Sequence, residues 1–116
     1  MIKIDDFYMT KRAKERAKTK LNAQYFIKKY SSRYLECQVV NLSSSGAAVS
    51  VSIDEKPERD AAMFLDVFIP KTLLHVSVVG AIKRIERRNN ELIIGVKFTE
   101  LISRIMFQQL TGNARP

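Results

Sequence analysis

The chain has 116 residues, 46 % of them hydrophobic and 28 % charged, and a net charge of +8; that length suits one domain with one modest core. The lone cysteine, Cys37, excludes an internal disulfide and a cysteine metal site and is expected to serve as a small buried apolar residue. No apolar run approaches the ~18 residues that span a bilayer, and Met1 to Asp6 lack the apolar stretch of a signal peptide, so the expectation is a cytoplasmic protein.

Residues 1–20 are mostly polar and basic, with Phe7, Tyr8 and Met9 as an apolar exception that could pack back on the domain. Thr10 suits a helix N-cap, and Ala13 and Ala17 favour helix. The segment reads as a basic N-terminal arm, partly helical or mobile. Within it begins a block, residues 11–33, that holds nine basic residues and one acid; the rest of the chain carries eleven of each. The whole charge excess therefore sits on one fifth of the sequence. Such a field attracts phosphate groups, nucleic acid or an anionic surface, although a charge run alone is as well read as a solvated face.

From Leu21 the hydrophobic period is two. Leu21, Ala23, Tyr25 and Ile27 form one strand face, and Tyr30 to Arg33 a turn. Leu35, Cys37 and Val39 lead a second strand to Asn41. A Ser43–Gly46 loop separates it from a third, on which Ala47, Val49, Val51 and Ile53 alternate with serines. Asp54 to Asp60, with Pro57, is a polar connection. Met63 to Ile69 is a fourth strand. Leu73 to Glu86 is a fifth, with Gly80 as its expected bulge or bend. Residues 87–90 turn the chain into a sixth, with Leu92, Ile94, Val96 and Phe98 on one face. Leu101, Ile102, Ile105, Met106 and Leu110 then follow helical spacing, and Gly112 stands where a C-terminal cap belongs. The expected fold is all-β: a six-stranded antiparallel barrel (21–99) with a C-terminal helix (100–112) and the basic arm (1–20), in a single domain over 1–116.

Two clusters carry the functional information. Arg12-Ala13-Lys14-Glu15-Arg16 has the form RxxxR, two guanidiniums one helical turn apart. Asn41-Leu42-Ser43-Ser44-Ser45-Gly46 has the form NxSxxG and starts 25 positions after Arg16. Each pattern is weak alone. Arg84 to Arg88 repeats the first, at a strand end where its side chains read as solvated. The second also suits a plain serine-rich turn with Gly46 in a left-handed conformation. Their order and spacing resemble the PilZ family, whose signature is RxxxR followed by [D/N]xSxxG. Gly95-Val96-Lys97-Phe98 resembles the G-V-x-F that closes barrels of that family, and a helix follows, as it does there. The resemblance spans about residues 11–111. It implies a split barrel that binds cyclic di-GMP through Arg12, Arg16, Asn41, Ser43 and Gly46. Lys11, directly ahead of the motif, implies two stacked ligand molecules rather than one.

The residue types suit that ligand. An arginine fork meets phosphate oxygens in pairs, matches guanine O6 and N7, and stacks on a base. Asn41 offers a donor and an acceptor, and Ser43 a hydroxyl. Asn41 stands where Asp is commoner in the family; the neutral amide lessens repulsion of phosphate. No catalytic constellation and no metal-ligand spacing is found, and His75 reads as structural or solvent-facing. The expected function is a receptor or adaptor, not an enzyme: ligand folds the arm over the barrel and alters a surface for an effector protein in trans. Two alternatives remain. One is a nucleic-acid-binding barrel using Tyr25, Phe26, Tyr30 and Tyr34, against which the aromatics and charges are unevenly interleaved. The other is a PilZ-fold adaptor that binds only protein.

Overall fold

The computed structural model describes residues 16–27, 34–52 and 57–112. In chain order they form β1 (Arg16–Phe26), β2 (Leu35–Ser43), β3 (Gly46–Val51), β4 (Ala62–Phe68), β5 (His75–Arg88), β6 (Glu91–Phe98) and the helix α1 (Arg104–Thr111). All strand pairs are antiparallel, in the spatial order β1-β2-β3-β6-β5-β4. The β1–β4 pair closes the barrel and so removes the exposed edges of an open sheet. Val39, Val49, Met63, Ile82 and Ile94 fill its centre with no exposed surface.

β1 corrects the expected arm. It begins at Arg16, so residues 16–20 are strand rather than helix. Ala17 and Thr19 continue the inward phase of Leu21 and Ala23. Ala17 stands opposite Leu42, and the Thr19 hydroxyl donates to the Val39 carbonyl at 2.6 Å. Pairing with β2 overrides the helix propensity of alanine.

Two strands break the period of two. In β2, Val39 and Leu42 both face inward; in β5, Ile82 and Ile85 do. Each pair is three residues apart because the ladder skips one residue, Val40 in the β2–β3 pairing and Lys83 in β5–β6. These are β-bulges. The bend expected at Gly80 is not there: Gly80 pairs regularly with Met63 and Phe98. Its glycine is needed for packing, since a Cβ would stand 2.4 Å from the Lys97 carbonyl oxygen.

The turns are tighter than expected. Ser44-Ser45 alone links β2 to β3, and Asn89-Asn90 links β5 to β6, with Asn89 at φ 52°. Arg87 and Arg88 remain in the ladder. The helix is also shorter and faces differently. Ser103 caps it, its hydroxyl accepting the Met106 N–H at 3.1 Å, so residues 99–103 form a strap ahead of it. Ile102, Phe107 and Leu110 go inward, whereas Leu101, Ile105 and Met106 are exposed. Gly112 ends the helix in the left-handed conformation, as expected, its N–H donating to the Gln108 carbonyl at 2.9 Å.

Candidate functional site

Two cross-strand rows on the outer surface define the site. One runs Lys18–Asn41–Ala48–Gly95–Arg84 across five strands, and its neighbour runs Arg16–Ser43–Gly46–Lys97–Ala81. The middle of both rows is made of glycine, alanine and serine. Cations stand to either side, Lys18 and Arg84 in the first row and Arg16 and Lys97 in the second. A floor without bulk, rimmed by positive charge, results from residue size alone.

The bulges are what bring the polar ends outward. By simple alternation from Leu35, Cys37 and Val39, Asn41 would face the core. The skipped Val40 turns it out. By alternation from Val76 through Ile82, Arg84 would also face the core, and the skipped Lys83 turns it out. Both re-aimed residues lie in the same row, at either side of Ala48 and Gly95.

Over this floor lies an open concavity of about 450 Å³. Arg16, Asn41, Ser43 and Gly46, four of the six residues expected from sequence, line it. Lys11 and Arg12 lie outside the described residues. Three further cations line it that sequence reasoning missed: Lys83, Arg84 and Lys97. No carboxylate belongs to the lining, so four cations share it among the described residues. The available signal was the three-residue gap between Ile82 and Ile85, which marks a bulge. Arg84 is exposed, as its place in Arg84–Arg88 suggested, but through the concavity it is not merely a solvated side chain at a strand end. Arg88 is: it is exposed and pairs with Glu86 at 3.1 Å. Arg16 stands on strand β1 rather than on a helical turn, while Arg12, its expected partner in that spacing, lies outside the described residues.

Ser43 is the buried polar residue of the described set, 6 % exposed. Its hydroxyl accepts the Ser45 N–H at 3.3 Å and lies 3.4 Å from both the Ser45 hydroxyl and the Gly46 carbonyl. It braces the tight turn. Gly46 is not left-handed; glycine is required there because a Cβ would stand 2.4 Å from the Val96 carbonyl oxygen. Lys83 meets Asp60 at 2.7 Å, and the hydrogen bond and charge of that lysine hold the Asp60 carboxyl below its usual range.

Other candidates carry less. Cys37 is half-buried, and burial pushes its thiol up to about 12. His75 is exposed, its ring edge-on to Phe68 at 6.0 Å. No cluster of three potential metal ligands occurs among the described residues, and no helix among them is long and apolar enough to cross a membrane. The aromatics proposed for nucleic acid are not on the cationic face. Tyr25 is in the core, while Phe26 and Tyr34 pack together at 5.7 Å near the opposite end of β1 from Arg16; Tyr30 lies outside the described residues.

The PilZ domain family model matches residues 10–111. Among solved structures, the chain is similar to the Bacillus subtilis inhibitor of motility (MotI/DgrA), at 14 % identity and a TM-score of 0.66 over 89 % of this chain. The match covers 52 % of that structure, so the chain spans about half its length. At that identity the likeness speaks for the fold. No curated protein sequence matches the chain.

Proposed function

The chain belongs to the PilZ domain family, a family of cyclic di-GMP receptors, and on that footing we propose that it binds cyclic di-GMP in the cationic concavity and passes the binding on to a partner protein. The observation that carries this reading is the meeting of Arg16, Asn41, Ser43 and Gly46 with Lys83, Arg84 and Lys97 around a floor of small residues. The cyclic dinucleotide has two phosphodiester charges and two flat bases. Gly46, Ala48 and Gly95 leave room for a base or the ribose–phosphate ring to approach backbone closely. Arg16 from β1 and Arg84 from β5 stand at opposite sides, four strand spacings apart, or about 19 Å along the curved surface. Each fork can neutralise phosphate or read a guanine edge. Asn41 can hydrogen-bond a base edge or ribose. The Ser43 hydroxyl, already engaged in the turn, acts by holding the turn in shape.

Arg12 and Lys11 complete the reading. They precede β1, whose first residue already lines the concavity, so both are within reach of a ligand held there. With them the site has six cations, enough to balance the four phosphate charges of two stacked molecules. Ligand draws the segment ahead of β1 over the barrel and changes the surface that an effector meets. A micromolar dissociation constant corresponds to about 8 kcal/mol, net of the ordering cost of that segment.

Calorimetric titration with cyclic di-GMP tests the reading and gives the stoichiometry. Saturable binding is expected, lost in Arg16→Ala with the thermal midpoint nearly unchanged, because Arg16 is exposed. Absence of heat at about 100 µM ligand in low salt, far above a micromolar constant, would remove the proposal.

A further inference from the structure

A second concavity, of about 690 Å³, lies away from the cationic one. Its walls are the outer faces of β4 and the first half of β5 on one side, and the strap with the first turn of α1 on the other. Its character is different. Phe64 and Tyr34 stand at one end, 37 % and 43 % exposed, both packed at a tilt against Phe26. Leu101, 69 % exposed, and Met106, 42 %, form the facing wall, with Val79, which pairs with Phe64 on the outer face, between. An apolar groove of exposed aromatic, leucine and methionine side chains is costly to leave in water.

The groove also carries charge of the wrong sign for this molecule. Asp66 and Glu100 line it, in a chain of net charge +8, and among the described residues no lysine or arginine does. Asp66 accepts the Ser77 hydroxyl at 2.7 Å, which occupies one oxygen. Neither carboxylate enters an ion pair among the described residues. Elsewhere on β5 a comparable exposed acid is paired: Glu86 with Arg88.

We propose that this groove docks an amphipathic segment of a partner protein, one that inserts apolar side chains between Met106, Leu101 and Val79 and sets an arginine or lysine against Asp66 and Glu100. The charges select this occupant. A cationic segment is repelled by the basic block and finds its counter-charge here, so the two acids act as an address more than as a source of affinity. A second copy of this chain would bring +8 against +8. An anionic membrane would be repelled by both carboxylates. The inference gives a chemistry to the partner in the reading above and rests on its adaptor half, not on the nucleotide.

The probe is a fluorescein-labelled amphipathic helical peptide of about 14 residues, with leucines on one face and two flanking arginines. Its twin has glutamine in place of the arginines. Anisotropy titrations are expected to show the arginine peptide binding about tenfold tighter than the twin. Asp66→Asn combined with Glu100→Gln should erase that preference. Leu101→Lys, at an exposed position that leaves the fold intact, should weaken both peptides about tenfold. Equal binding of the two peptides, or insensitivity to Leu101→Lys, overturns the proposal. So does a dimer in sedimentation that Leu101→Lys dissociates, or Leu101-dependent binding to phosphatidylglycerol vesicles. Cyclic di-GMP titration of Leu101→Lys reads the nucleotide site separately; wild-type binding there with no peptide preference would sink the groove and spare the receptor.

Discussion

At Arg84 the side chain rises beside the glycine of the neighbouring strand: a Cβ built on Gly95 would stand 3.3 Å from the arginine's Cβ and 3.8 Å from its Nε. Gly95 thus gives the guanidinium a bare strip of backbone to extend over. Arg88, four residues on, has a carboxylate partner in Glu86 instead. The two arginines should therefore separate under mutation. Arg84→Ala is expected to weaken cyclic di-GMP by about ten- to a hundredfold, the loss of a charge-assisted contact, with little change in thermal midpoint. Arg88→Ala should leave affinity within about twofold, as befits an exposed ion pair. Calorimetry on both variants decides it; equal effects would mean that only net charge matters. Gly46 is a poor probe of the same site. A methyl there meets the Val96 carbonyl oxygen, so its replacement strains the β3–β6 ladder before it touches ligand.

Element by element, the parts legible in sequence are those where one signal dominates. Leu21 to Ile27 and Leu92 to Phe98 alternate cleanly, and both are strands with those residues inside. Ser43 to Gly46 was legible as a polar loop between strands, and its tightness was not, because the Ser43 hydroxyl shrinks it to a two-residue turn. The bulges were harder to read: Val40 and Lys83 are ordinary strand residues, the three-residue gap between Ile82 and Ile85 is the one sequence signal, and the ladder shows which residues are skipped. Without them Arg84 could not be connected to Asn41. The helix misled because Leu101 and Ile105 fit its apolar period, yet chain geometry ahead of it decided its phase. The end of β6 and the strap after it are hydrogen-bonded to the β2–β3 turn, Phe98 N–H to the Ser45 carbonyl at 2.7 Å and Ile102 N–H to the Ser44 carbonyl at 2.9 Å. That anchoring leaves Ser103 as the cap. Ser103→Ala should cost about 1 kcal/mol, read as a lower urea midpoint with an unchanged slope. No loss would mean that the strap, rather than the cap, fixes where α1 begins.

Over the whole barrel, charge is sorted by face: cations around the glycine and alanine floor, two carboxylates in the apolar groove, and protonated groups held in or against the core. The last of these gives the molecule an alkaline limit. Burial, with a smaller contribution from Cys37, raises the Tyr25 hydroxyl from its usual 10.0 to about 12, and burial raises the Cys37 thiol from 9.0 to about 12. The two lie on adjacent strands, Tyr25 opposite Leu35 and Cys37 opposite Ala23. Both folded-state values exceed the unfolded ones, so the folded barrel keeps protons that the unfolded chain releases. Stability from this source is complete below pH 9 and is lost as pH rises towards 12. Each tenfold difference in proton affinity between the folded and the unfolded chain is worth about 1.4 kcal/mol per group. Deprotonation of the many lysines acts the other way, by relieving the repulsion of a net charge of +8. Thermal melts from pH 8 to 11 should therefore show a falling midpoint despite that relief. Tyr25→Phe with Cys37→Ala removes both groups, so the double variant should lose most of the fall and hold its midpoint near the pH 8 value. A decline of equal steepness in the variant would place the alkaline limit elsewhere in the barrel.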